Sequence, residues 1–304
     1  MRCRNKHGWA IIMPALLSLW LPVAAESATP TPGAPTVAAP PSQQAGSVRL
    51  ALASRPDVRS HSFYVFDEST ASVLAARNER IAVPVASITK LLTALVVLDA
   101  GQSMQQTITI TADDVRGTAG NASRLPVGAR LTRENLLRLA LMSSENRAAH
   151  ALCRTYPKGL AACVKAMNSK AAGLKMTTAR FVDPTGLSSR NVTSAVDLAK
   201  LVIASAGNPQ ISEYSTAARH TVTVNRHAVE FRTTNLLVDN PGWQVDVQKT
   251  GYIAEAGRCL VMQTVIDGRA VVIVLLNSLV KYTRIADAKR IRTWMETQTR
   301  VAAL

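Results

Sequence analysis

Pro84-Val85-Ala86-Ser87-Ile88-Thr89-Lys90-Leu91-Leu92 opens a run that leaves no wide polar face, because Ile88, Leu91, Leu92, Leu95, Val96, Val97 and Leu98 surround the axis of a helix expected from Ser87 to Ala100. Gly101 closes it. A helix apolar all round is buried, so the rest of the domain must wrap it. Yet Lys90 stands in its first turn, where a cation opposes the helix dipole and a Glu or Gln would be favourable. Burial disfavours the ammonium and lowers its pKa. Ser87 and Lys90 are three residues apart and share one face, so a partly neutral amine is placed to take the hydroxyl proton. The bland alternative is a Ser87 cap with Lys90 snorkelling to water.

Outward from this helix, 61–67 and 72–76 read as a strand pair joined by the polar turn 67–70. Helices are expected at 132–155, 159–172 and 194–206, the last stopped by Gly207 and Pro209, and a final one from Tyr282 to about Arg300 with Ile285, Ala288, Ile291, Trp294 and Met295 on one face. Strands are expected at 221–224, 229–232, 244–249, 259–266 and 270–276. Helices gather in the middle and strands at the two ends. The expected class is α+β, a mainly antiparallel sheet flanked by helices with a helical lobe.

The 304 residues are 47% hydrophobic and 18% charged, enough for a real core. Residues 1–25 run from Arg2, Arg4 and Lys6 through an apolar stretch to Val23-Ala24-Ala25, the pattern of a cleaved export signal rather than a membrane span. Residues 26–47, rich in Pro, Ala, Thr and Ser with no aromatic, read as a linker, which leaves 48–304 as the catalytic domain. Lys plus Arg outnumber Asp plus Glu by 35 to 20; removal of three basic leader residues leaves +12. Aromatic residues are only 4% and no nucleic-acid motif appears, so the charge is poor support for nucleic-acid binding. Cys153 and Cys163 flank a turn and are either a local disulfide or two buried thiols, while Cys259 reads as a buried thiol. The histidines show no ligand spacing, so neither metal nor cofactor is expected.

Acyl transfer on serine also needs a proton path, a cation for the substrate carboxylate and donors for the oxyanion. Ser144-Glu145-Asn146 in the helical stretch and Lys249-Thr250-Gly251 on a strand supply candidates, with Gly251 expected to let a substrate approach the backbone. Each motif is weak by itself. Ser278-Leu279-Val280-Lys281 repeats S-x-x-K without a buried helix behind it, and Ser189-Arg190-Asn191 repeats S-x-N. Context selects Ser87.

S-x-x-K, an S-D-N element and K-T-G form the signature of β-lactamases and penicillin-binding proteins. With the runs 86–91, 141–149, 180–187 and 249–251, the chain resembles the low-molecular-mass penicillin-binding proteins, and among them the D-alanyl-D-alanine endopeptidases of the penicillin-binding protein 7 type, from about Val48 onward. The resemblance implies Ser87 as acylated nucleophile, Lys90 as general base, and Ser144 and Asn146 in proton relay and substrate positioning. It places Lys249 and Thr250 on the substrate carboxylate side, Gly251 beside them, the backbone N–H groups of Ser87 and Tyr252 on the oxyanion, and Arg284 as a carboxylate-binding cation. The centre reads S-E-N, its middle residue expected to point away from the chemistry.

The expected function is periplasmic cleavage of D-alanyl cross-links between peptidoglycan stem peptides, with β-lactams as covalent inhibitors and no stable membrane anchor. D-Ala-D-Ala carboxypeptidase activity is the runner-up. A β-lactamase is disfavoured because no E-x-x-L-N element is visible, and a non-catalytic wall-binding or antibiotic-sensing module is disfavoured by the intact Ser87 and Lys90.

Overall fold

A computed structural model of the chain describes residues 55–119 and 121–302. The expected leader and linker, and the first residues of the domain predicted from Val48, lie outside the described residues.

β1 (Ser62–Asp67) and β2 (Ser72–Arg77) form the expected pair, turned by Asp67, whose Oδ1 accepts from Ser69 N at 2.9 Å and Ser69 Oγ at 2.5 Å. β3 (Val83–Pro84) leads through a single 3-10 turn, Ala86–Ile88, into α1 (Thr89–Asp99). β4 (Thr107–Thr109), α2 (Ala112–Arg116) and β5 (Arg130–Thr132) follow, each too short to show a period in sequence. α3 (Arg133–Met142), α4 (Asn146–Arg154) and α5 (Gly159–Gly173) complete the helical lobe, and a disulfide joins Cys153 of α4 to Cys163 of α5. β6 (Val192–Thr193), α6 (Ala195–Ala206) and α7 (Pro209–Thr216) lead to the hairpin β7 (Arg219–Val224) and β8 (His227–Arg232). β9 (Gln244–Ile253), β10 (Gly257–Ile266), β11 (Arg269–Ser278) and α8 (Thr283–Ala302) end the fold.

The class is α+β, as expected, with a five-stranded antiparallel sheet in the order β2-β1-β11-β10-β9. Alternation along β11 divides the core: Val272, Val274 and Leu276 face the helical lobe, whereas Val271, Ile273 and Leu275 pack with Ala288, Ile291 and Met295 of α8. α1 is enclosed from Thr89 to Val97, with Leu91, Leu92 and Ala94 at 0% exposure. Every side of the helix has a neighbour, which is why its sequence lacks a polar face.

Three expectations need correction. The continuous helix 132–155 is two helices, broken at Ser143-Ser144-Glu145. Ser143 Oγ donates to Leu139 O at 2.8 Å, Ser144 takes a left-handed φ of +63°, and Glu145 caps the next helix by accepting from Arg147 N at 3.2 Å. The apolar period stays in phase across the break and hides it. Second, Pro209 starts a helix rather than only stopping one, because Asn208 Oδ1 accepts from Gln210 N at 3.0 Å and Ile211 N at 3.2 Å and Pro is suited to the first turn. Third, the strand expected to end at Lys249 continues to Ile253, so Gly251 lies inside it.

Both repeated motifs are structural. Ser278 Oγ lies 2.7 Å from Ser60 Oγ, which also donates to Asp287 Oδ2 at 2.6 Å and so ties α8 to the start of β1. Asn191 is buried and braces a loop described below. Cys259 is a buried free thiol. Among the described residues no helix is long and apolar enough to cross a membrane.

Candidate active site

Ser87 lies in the 3-10 turn ahead of α1, not at a conventional cap. The turn is fixed from both ends: Val85 N donates to Asn191 O at 3.1 Å, and Thr89 Oγ1 donates to Ala86 O at 2.8 Å. Ala86 has φ +48°. Two glycines let other backbone segments close on this turn. A Cβ on Gly186, where φ is +81°, would stand 1.9 Å from Ala86 O; one on Gly251 would stand 3.0 Å from Val85 O and 3.1 Å from Ser87 N. Strand β9 therefore lies directly against the backbone of Ser87.

Lys90, one helical turn on, is 1% exposed. Its Nζ donates to Ser87 Oγ at 2.7 Å, Asn146 Oδ1 at 2.8 Å and Thr185 O at 2.6 Å. Burial pushes its pKa down to about 7, with the negative charges of Asp183 and Glu145 opposing part of that fall. Two of the three partners are oxygens that only accept, so they always hold an N–H. When the ammonium loses a proton, the new lone pair faces Ser87 Oγ.

The break between α3 and α4 is what delivers the second motif. Its left-handed Ser144 turns the hydroxyl to Lys249 Nζ, which donates to it at 2.9 Å, while Asn146 opens α4 and reaches Lys90. Glu145 points elsewhere, as expected, accepting from Ser123 Oγ at 2.6 Å and Arg147 N. Lys249 is 0% exposed and also donates to Thr250 O at 2.9 Å. Burial first, then the positive charges of Lys90 and Arg284, hold its pKa well below the usual lysine value. Among the described residues the lysine ion pairs are those of Lys170 and Lys200, so no carboxylate paired with Lys90 or Lys249 competes with an incoming anion.

Five side chains of these motifs thus meet in two hydrogen-bonded sets, Ser87–Lys90–Asn146 and Ser144–Lys249. Thr250 Oγ1 lies 2.6 Å from Thr234 Oγ1. Arg284 makes no hydrogen bond here; its Nε and one terminal nitrogen are buried without a partner, and its charge acts on Lys249. Tyr252 exposes its ring, over which Arg258 stacks at 4.4 Å. Among the described residues no cluster of metal-ligating side chains exists.

Sequence reasoning missed Thr234, and it marked the run 180–187 only as part of the resemblance, without a role for the Thr185 carbonyl. Asp183 Oδ1 accepts from Thr185 N at 2.7 Å, Thr185 Oγ1 at 2.6 Å and Gly186 N at 2.8 Å, and Oδ2 accepts from Ser188 N at 3.1 Å. Asn191 closes the loop, accepting from Val182 N at 2.8 Å and donating to Asp183 O at 2.9 Å and Thr89 Oγ1 at 3.1 Å. D-P-T-G inside that run is a turn signal, but no local signal shows which side chain the loop meets.

A family model described as D-alanyl-D-alanine carboxypeptidase matches residues 50–279. The chain is 44% identical to a D-alanyl-D-alanine endopeptidase of Pseudomonas aeruginosa over 87% of this chain and 84% of that protein. It is 42% identical to one of Escherichia coli, covering 84% of each. A solved D-alanyl-D-alanine carboxypeptidase of Mycobacterium tuberculosis superposes with TM-score 0.72 at 27% identity, over 83% of this chain and 95% of that one. The Streptomyces K15 DD-transpeptidase shares the fold, with TM-score 0.74 at 24% identity over 79% and 98% of the two chains.

Proposed function

The chain belongs to the D-alanyl-D-alanine carboxypeptidase family and is a serine-type DD-peptidase; from that premise we propose that it is an endopeptidase cleaving the D-alanyl to meso-diaminopimelyl cross-link of peptidoglycan. The observation that carries the chemistry is the 2.7 Å contact of Lys90 Nζ with Ser87 Oγ, made by an amine whose pKa is about 7. Neutral Lys90 takes the hydroxyl proton as Ser87 Oγ attacks the D-alanyl carbonyl carbon. The backbone N–H groups of Ser87 and Tyr252 receive the oxyanion. As the C–N bond breaks, the leaving amine gains a proton from Lys90 by way of Ser144, and an ester on Ser87 remains. Water then attacks that ester with Lys90 again as base, releasing the D-alanyl carboxylic acid and restoring Ser87. Lys249, Thr250 and Arg284 supply positive charge and a hydroxyl for the substrate carboxylate.

Two observations bear on the competing readings. Three relatives named endopeptidase match at 44%, 42% and 35% identity, whereas a mycobacterial carboxypeptidase relative matches at 31%. That favours the cross-link over the free D-Ala-D-Ala terminus, the second reading. The nearest carboxylates are already committed: Asp183 to its loop, Glu145 to Ser123 and Arg147. Neither is free to serve as a second base beside Lys90 for a deacylating water, so the penicillin ester on Ser87 is expected to hydrolyse slowly. We place the protein in the periplasm, where its substrate lies, in keeping with the predicted leader. Mass analysis of products from defined monomeric and cross-linked muropeptides, with Ser87→Ala as control, tests the proposal. Cleavage restricted to terminal D-Ala, or undiminished cleavage by the variant, would overturn it.

A further inference from the structure

The β7–β8 hairpin carries positive charge to the edge of the site. Arg219 and Arg232 are directly opposite in its register and share its exposed face, where like charges are unfavourable. Glu230 pairs with Arg232 at 2.7 Å, and among the described residues Arg219 has no ion pair. Exposed Arg124 stacks on the Phe231 ring at 3.9 Å and donates to Glu230 O along the free edge of β8. Arg232 pairs with the one carboxylate here, and Arg219 and Arg124 act on it through space.

Two tethers fix this cluster to the cleft. Arg232 is two residues from Thr234, whose hydroxyl meets Thr250 and whose N–H donates to Met142 O, just ahead of the α3–α4 break. Arg124 follows Ser123, the residue that holds Glu145 of S-E-N. At about 3.5 Å of chain per residue, the Arg232 backbone lies within about 7 Å of Thr234, the partner of Thr250, and Arg124 is one residue from the contact that holds Glu145 next to Ser144. Beyond Arg219, the same face continues through Thr221 and Thr223 into a polar cavity of about 380 Å³ that Arg130 and Asn135 also line.

We infer that Arg124, Arg219 and Arg232 form a carboxylate-binding rim that holds the second stem peptide of a cross-link. This rests on the endopeptidase reading and deepens it. A stem peptide that leaves as the amine partner carries several free carboxylates, and a terminal D-Ala leaving group does not reach so far. Guanidinium forks suit carboxylates in geometry as well as charge. Their surplus has no internal partner, so an anionic ligand relieves the repulsion between Arg219 and Arg232.

The test measures binding and cleavage apart. In the Ser87→Ala protein, which cannot turn over, affinity for a soluble cross-linked muropeptide dimer is expected to fall about tenfold on adding Arg219→Gln with Arg232→Gln, and to recover mostly with Lys at both positions. A dimer with its carboxylates amidated is expected to bind all three proteins alike. With Ser87 intact, acylation by a labelled penicillin is expected to be unchanged by the Gln pair. Equal dimer affinity in the Gln variant, loss of the same size with the amidated dimer, or a parallel loss of penicillin acylation would overturn the rim. Failure of the unaltered protein to cleave a dimer that it binds through these arginines would overturn the endopeptidase reading and leave the rim standing.

Discussion

Thr185 O accepts from Lys90 Nζ at 2.6 Å, the shortest of the three bonds to that amine and the one that spans 95 residues. A backbone carbonyl neither titrates nor rotates, so it fixes one N–H of Lys90 in every protonation state. Asn146 Oδ1 fixes a second. What remains, a proton or a lone pair, is aimed at Ser87. The base is oriented by the two acceptors that do not react.

Because Lys90 must be neutral to accept the Ser87 proton, and burial sets its pKa at about 7, kcat/KM for muropeptide cleavage is expected to rise tenfold per pH unit below about 7 and level off above it. Lys90→Arg keeps a cation that cannot deprotonate, and acylation by a labelled penicillin is expected to drop roughly 10²–10⁴-fold at all pH values. A variant that retains the profile would mean another group is the base.

Asp183→Asn removes a negative charge that supports protonated Lys90. The acid limb of the kcat/KM profile should then move to lower pH, while a substitution that merely loosened the loop would lower the plateau and leave the limb in place. Stopped-flow acylation across pH 5 to 8 separates the two; a limb moving upward is the contrary result.

Gly186→Ala places a Cβ 1.9 Å from Ala86 O at φ +81°. The loop carrying Thr185 must retreat from the nucleophile turn, so penicillin acylation is expected to fall on the order of 10²-fold. Stability should drop by more than about 1 kcal/mol as the strained φ adds to the clash. Unchanged acylation and melting temperature together would show that the close approach is unimportant.

Lys90 also bears on stability. Its pKa is about 7 folded against 10.5 for a free lysine, so between these values the unfolded chain binds the extra proton. Stability from this group therefore rises with pH across that window, and below about pH 7 the buried ammonium costs on the order of a few kcal/mol. Lys90→Met removes the term. Urea unfolding of both proteins is expected to show the variant's stability, relative to the unaltered protein, declining from pH 6 to pH 10; a constant difference would contradict the linkage.

Much of the site was legible in the chain because its first pair is local. Ser87 and Lys90 stand one helical turn apart whatever surrounds them, and the apolar residues flanking Lys90 announced its burial. Ser144, Asn146 and Lys249 were legible as motifs only in company. Their meeting was not, since Lys90 to Asn146 spans 56 residues and Lys249 to Ser144 spans 105. The α3–α4 break escaped because the apolar period continues through it, although Ser143-Ser144-Glu145 held the capping residues that make it. Thr234 and Thr185 escaped because a hydroxyl just after a strand and a carbonyl after a proline have no signature of their own.

By itself the sequence determined the elements whose periods run long enough to read, the burial of α1, and the placing of a hydroxyl and an amine on one face of it. Only the tertiary structure decided where the lone pair of that amine points and which charges oppose or support it. Period and spacing act through bonds a few residues long, whereas desolvation and the fixed acceptors around Lys90 come from helices, a loop and a strand that folding alone brings within 3 Å of the site.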